Sequence, residues 1–206
     1  VGWPSHSSSP GLHFALEPEA LEDGVAEPIA AVLPVYFVAD ESGSMAGVIG
    51  DLNQGLTSLL DAMAKQTMAS AKVRFSVIGF SDTASCRLPM SHLRDVNEMP
   101  KLSAYNTTSY VAAFQHLRKQ IPIDVAALIA AGNQVHRPAV FFLTDGLPNE
   151  EDWPGALAEL KSPEFRERPN ILAFGVGNAD PETIVRIATS AEYAYFGTVA
   201  APPSKV

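Results

Sequence analysis

The chain has 206 residues, of which 47% are hydrophobic and 18% charged, and its formal net charge is -9. This is the make-up of a folded α/β globule of about one domain, not of a disordered or collagen-like chain. The acidic balance argues against a nucleic-acid partner, because the summed field repels a phosphate backbone.

Residues 1–32 differ in character from the rest of the chain. Ser, Pro and His come first, then "LEPEALEDGVAEPIA", with Glu17, Glu19, Glu22, Asp23 and Glu27 among Pro10, Pro18 and Pro28. Such a composition reads as a solvated extension, one that either wraps the domain or offers a glutamate to a partner. It has no basic region followed by an apolar one, so it does not read as a signal peptide. No apolar run anywhere reaches the roughly 18–20 residues of a membrane span. Cys86 is the single cysteine, which excludes an internal disulfide and fits a reducing compartment. The expectation is a cytoplasmic protein.

From Leu33 to about residue 200, apolar runs of strand length alternate with stretches of helical period. That alternation predicts a doubly wound, mostly parallel sheet with helices on both faces, a Rossmann-like α/β fold. The predicted strands are 34–39 (PVYFVA), 73–80 (VRFSVIGF), 139–144 (AVFFLT), 170–176 (NILAFGV) and 192–197 (EYAYFG). Residues 84–90 (ASCRLPM) read as a short antiparallel edge strand, since Pro89 is poorly tolerated inside a sheet. Helices are predicted over 49–67, from 108 to 121 and onward, over 153–161 and over 181–190. The first shows Leu52, Leu56, Leu59, Leu60 and Met63 on one face; the last has Asp180 as its cap and Pro181 at its first position. Residues 201–206 form a tail.

Asp40 closes the first strand, and "ESGS" must lead away from it. In an open parallel sheet the ligand crevice lies beyond the carboxyl ends of the strands. Residues two apart on an extended segment share a side, so Asp40, Ser42 and Ser44 can converge there, with Gly43 permitting a bend. A second strand delivers Asp145-Gly146 to the same edge, and Thr107, Thr108 and Ser109 open a helix between them. Carboxylates and hydroxyls without thiol or imidazole are hard oxygen donors, suited to Mg²⁺ or Mn²⁺.

These residues, Asp40-x-Ser42-x-Ser44, a threonine at a helix start and Thr144-Asp145-Gly146, resemble the metal-ion-dependent adhesion site of von Willebrand factor type A domains. The resemblance spans about residues 33–197, and within it "LPVYFVADESGSMAG" and "AVFFLTDGLPNEEDW" look most like the TerY proteins of bacterial tellurite-resistance operons. It implies a protein-interaction module, not an enzyme. It further implies that Ser42, Ser44 and a threonine touch Mg²⁺, Mn²⁺ or Ca²⁺ directly, that Asp40 and Asp145 act mostly through water, and that a partner's Asp or Glu completes the ion's shell. Implied company is a protein kinase with a PP2C-type phosphatase, or a MoxR-type AAA ATPase. Where the family usually has two glycines before the threonine, this chain has Asn106 and Thr107. Thr108 aligns best with the family threonine and Thr107 is the alternative.

Two other readings compete: a metal-dependent phosphohydrolase with Asp40 as nucleophile, and a scaffold whose metal site is degenerate. The first lacks a second aspartate, since position 42 is serine, and nothing pairs a base with a nucleophile. Glu41 alternates away from the motif and is expected to be a solvated loop residue, as are Asp51 and Asp61 on the first helix; Asp82 is expected in a turn with Ser81. His6, His13, His92, His116 and His136 lack zinc spacing, and Cys86 lacks a His partner. "GVGNADP" lacks the third glycine of a dinucleotide fingerprint and reads as a strand-to-helix turn.

Overall fold

A computed structural model describes residues 31–64, 71–146 and 148–197, without the side chains of Leu60, Met63 and Ala64. The extension 1–30 and the tail 201–206 lie outside the described residues. The strands are β1 (Ala31–Asp40), β2 (Val73–Phe80), β3 (Ala84–His92), β4 (Gln134–Val135), β5 (Ala139–Thr144), β6 (Asn170–Val176) and β7 (Ala194–Gly197). The helices are α1 (Ile49–Ala64), α2 (Tyr110–Ala130), α3 (Trp153–Lys161) and α4 (Pro181–Ile187).

The sheet runs β3-β2-β1-β5-β6-β7, with β4 pairing the start of β1. Among the described residues all pairings are parallel except β2 with β3. The expected architecture is therefore present. Pro89 sits in the edge strand, where its missing N–H costs no ladder bond, and that pairing carries register shifts between Phe75 and Ile78.

Several boundaries differ from expectation. β1 begins at Ala31, inside the segment read as extension, because Ala31 and Val32 pair with Gln134 and Val135. That pairing is too short for periodicity to announce it. α2 starts at Tyr110, not at 108, because the Ser109 hydroxyl caps it by accepting the Ala112 N–H, and it runs on through Pro122 to Ala130 as expected. α4 stops at Ile187, and residues 191–193 form a 3-10 turn instead of the start of β7.

The two faces of the sheet differ. On one, Tyr36, Val38, Ile78, Phe80, Val140, Phe142, Ile171 and Ala173 pack against α2, α3 and α4. Phe142 lies at the centre of an aromatic group, 5.1 Å from Phe80, 5.4 Å from Tyr110 and 5.3 Å from Phe114 between ring centroids. On the other face, Ala39, Phe75 and Val77 pack with Leu56 of α1, Leu93, Met99 and Leu102. Leu59, expected on the buried stripe of α1, is 38% exposed. It borders an apolar cavity of about 450 Å³ with Val35, Phe37, Phe75 and Phe141. Phe141, Phe174 and Tyr195 stack across three strands of this face at 6.0 and 4.8 Å.

Candidate functional site

The chain winds outward from β1 through β2 to β3, then returns and winds outward through β5, β6 and β7. The direction of winding switches between β1 and β5, and their carboxyl-end loops diverge there to open a crevice. Asp40 ends β1 and Asp145 follows β5, so the topology sets both carboxylates on this crevice.

Asp40 is fully buried. Its Oδ1 accepts the Ser42 N–H at 2.8 Å and its Oδ2 accepts the Thr144 hydroxyl at 2.6 Å. Burial raises its pKa above the ordinary carboxylate value; the Ser42 and Thr144 hydrogen bonds oppose the rise, and the nearby Asp145 charge adds to it. The Ser42 and Ser44 hydroxyls lie 3.0 Å apart, and Ser44 donates to Asp145 Oδ1 at 2.7 Å. Residues 43–47 form a 3-10 turn anchored by buried Met45, which carries Ser44 back over the strand ends.

Thr108 joins them from the segment before α2. A Cβ built on Gly146 would lie 3.6 Å from Ser44 Oγ and 3.8 Å from Thr108 Oγ1, so the Gly146 backbone faces both hydroxyls. Thr108 is 6% exposed, whereas Thr107 is on the surface. Of the two candidates, it is Thr108 that is brought to the cluster. Asn106 takes a left-handed conformation, φ 59°, which asparagine tolerates better than most residues. It thus does the conformational work of a glycine, and its side chain donates to Asp82 Oδ1 at 3.1 Å. Its carbonyl accepts the Gly43 N–H at 3.0 Å, tying the threonine segment to the serine loop.

Behind the cluster, Tyr110 donates its hydroxyl to the Gly146 carbonyl at 2.8 Å and stands 3.1 Å from Thr144 Oγ1. Thr144 is fully buried, and the sequence placed it within Thr144-Asp145-Gly146 without giving it a role in the site. The one available signal was its place beside Asp145 at a strand end. Replacing it with valine removes a donor to a buried carboxylate, and the expected cost is about 1–3 kcal/mol. Urea unfolding of Thr144→Val against Thr144→Ser, which keeps the hydroxyl and should recover most of the loss, checks this.

Glu41 overturns an expectation. It does point away from Asp40 and Ser42, but that side is filled, and the residue is only 1% exposed. Its Oε2 accepts Arg87 Nη2 at 2.7 Å and Nε at 3.0 Å, and its Oε1 accepts the Ser103 N–H at 2.9 Å. Alternation along the strand fixed the direction; the β2–β3 hairpin and the 103–105 segment decided what stands there. Asp51 and Asp61 are exposed, and Ser81 donates to Asp82 at 3.0 Å, both as expected. The "GVGNADP" stretch is the expected turn, with Gly177 at φ 61° and Asp180 capping α4 through Thr183.

The donor set fits a hard divalent cation. Hydroxyl and carboxylate oxygens converge from three loops, and a buried carboxylate whose neutral form is favoured by desolvation would be relieved by positive charge. Among the described residues no group of three His, Cys, Asp or Glu side chains gathers as a metal cluster, consistent with hydroxyls making up much of this set.

The profile of the von Willebrand factor type A domain matches residues 35–202. The chain belongs to this family. Solved structures show the same fold. Proximal thread matrix protein 1 from the mussel byssus, whose structure has a zinc-occupied MIDAS motif, is 22% identical with a TM-score of 0.56, over 82% of this chain and 42% of that one. The pilus adhesin SpaC of Lactobacillus rhamnosus GG is 15% identical with a TM-score of 0.65, over 85% of this chain and 28% of that one. The vWF domain of the type V pili tip protein Mfa5 from Porphyromonas gingivalis is 10% identical with a TM-score of 0.61, over 82% of this chain and 90% of that one. This von Willebrand A chain thus spans less than half the length of the mussel and Lactobacillus proteins. No curated protein sequence matches it. No described helix is long and apolar enough to cross a membrane.

Proposed function

We propose that this von Willebrand A domain docks a partner protein through a divalent cation at the β1–β5 crevice. Ser42, Ser44 and Thr108 hold the ion directly, and Asp40 and Asp145 act mostly through bound water. The observation that carries this reading is the convergence of the Ser42, Ser44 and Asp145 oxygens within hydrogen-bond distance, with Gly146 facing Ser44 and Thr108 together. With few anions bound directly the ion retains positive charge, so a partner's Asp or Glu completes the shell. Mg²⁺ is the first choice and Mn²⁺ or Ca²⁺ the alternatives. The role is binding, without catalysis: position 42 is a serine where a phosphohydrolase would place a second aspartate.

The likeness of "LPVYFVADESGSMAG" and "AVFFLTDGLPNEEDW" to TerY proteins favours a bacterial stress or signalling system in the cytoplasm. The partner is then a component beside a kinase and PP2C-type phosphatase pair, or a MoxR-type AAA ATPase. Capture from native lysate on the immobilised full chain tests the reading, run with Mg²⁺, with EDTA and with Asp145→Ala. The same prey should be lost in both perturbed samples. Prey retained in EDTA would instead point to a scaffold that does not use the ion.

A further inference from the structure

Glu41 lies inside the D-x-S-x-S stretch, yet none of its bonds face the crevice. Its backbone N–H donates to the Phe80 carbonyl at the end of β2 at 2.6 Å, and its carbonyl accepts the Tyr105 N–H at 2.7 Å. Its side chain takes the Arg87 guanidinium from β3 through two nitrogens and the Ser103 N–H through the other oxygen. Arg87 Nη2 also reaches the Tyr105 hydroxyl at 2.6 Å. One residue therefore ties β2, β3 and the 103–105 segment to the serine loop.

That segment runs straight into Asn106 and Thr108. Within it, Glu41 holds residues 103 and 105, Gly43 and Asp82 hold Asn106, and the Asn149 N–H meets the Thr108 carbonyl at 3.1 Å, while Asn53 on Leu102 and the Ser81 carbonyl on the Ser109 N–H fix its two ends. Room for the buried carboxylate comes from Gly79, where a Cβ would collide with Glu41 Oε2 and stand 2.9 Å from Arg87 Nε. A planar guanidinium held by both nitrogens fixes orientation as well as distance.

We propose that the Glu41–Arg87 pair is a positioning device for the proposed ion site, which sets the Thr108-bearing segment at its distance from Ser42 and Ser44. This rests on the metal reading of the crevice. Glu41 gives no ligand; its charge is spent on Arg87 and Ser103, leaving the ion to the hydroxyls. Residues that orient metal ligands without touching the metal commonly change affinity by about 10–100-fold when replaced.

The test uses the full chain with Glu41→Gln, Arg87→Met and Arg87→Lys, read by Mn²⁺ titration calorimetry and by amide hydrogen exchange without metal. Glu41→Gln keeps an acceptor for Ser103 but loses the ion pair; Arg87→Met strands the Glu41 carboxylate, whose side chain is 2% exposed, and lowers stability, so Arg87→Lys, which keeps the charge, and a melting curve for each variant serve as the folding controls. Either Glu41→Gln or Arg87→Met should weaken Mn²⁺ binding about tenfold and speed exchange at residues 103–108. The double variant should do no worse than either single, because one device is removed. Arg87→Lys should recover part of the affinity. Wild-type Mn²⁺ affinity in the variants, even with a lowered melting temperature, would show Glu41 to be only structural and overturn the proposal. Unchanged exchange at 103–108 would overturn it too. A wild-type chain that binds no Mn²⁺ sinks the metal reading and the affinity claim with it, while the metal-free exchange still decides whether Glu41 holds the segment.

Discussion

Mn²⁺ or Mg²⁺ added to the full chain is expected to raise its melting temperature, and Asp145→Ala is expected to abolish the rise. A ligand that binds only the folded state, at a hundredfold excess over its dissociation constant, adds about 2.7 kcal/mol. For a domain of this size that is roughly 5–10 °C. Asp145 suits the test because it is only part-buried and, among the described residues, accepts one side-chain bond, from Ser44. Losing that bond should lower the metal-free stability by no more than about 1 kcal/mol. Asp40→Ala should behave differently. It strands the Thr144 hydroxyl and the Ser42 N–H, both turned to a fully buried carboxylate, so basal stability and metal response fall together. A wild-type melting curve indifferent to either ion, or a full shift retained by Asp145→Ala, would contradict the assignment.

Phe142→Ala should cost about 3–5 kcal/mol in urea unfolding, the range for deleting a fully buried phenyl ring. Its ring touches Phe80, Tyr110 and Phe114, so the void cannot close without moving β2 or α2. The effect should also reach the crevice. Tyr110 packs edge-on against Phe142 while its hydroxyl holds the Gly146 carbonyl, and a loosened Tyr110 releases the backbone that faces Ser44 and Thr108. The neighbouring Phe141 points to the opposite, half-covered face and lines the apolar cavity there. Phe141→Ala should cost clearly less, since part of its surface already meets solvent. Equal losses at 141 and 142 would mean that the two faces are packed alike.

The site and the core are thus built from the same strands. Asp40 and Thr144 end the strands whose interiors carry Val38 and Phe142, and each strand delivers one face to the core and its tip to the crevice. A side chain in register at the tip is held as firmly as the core beneath it. The hydroxyls on the loops gain order from backbone ties such as Gly43 to Asn106 and Asn149 to Thr108.

By itself the sequence determined the α/β class, the parallel sheet with its one antiparallel edge strand, and the candidate residues Asp40, Ser42, Ser44 and Asp145. Those features are local: apolar runs of strand length, a proline that belongs at an edge, and carboxylates immediately after strands. It favoured Thr108 over Thr107 only through the family likeness, because the two are adjacent ahead of the same helix and which of them reaches the crevice depends on the left-handed turn at Asn106. The β4 pairing and the burial of Glu41 were likewise beyond it. Both depend on partners far away in the chain, Ala31 with Gln134 and Glu41 with Arg87, and a residue's own neighbours carry no record of such contacts. Periodicity states which way a side chain points; only the assembled sheet decides whether water or an arginine is waiting there.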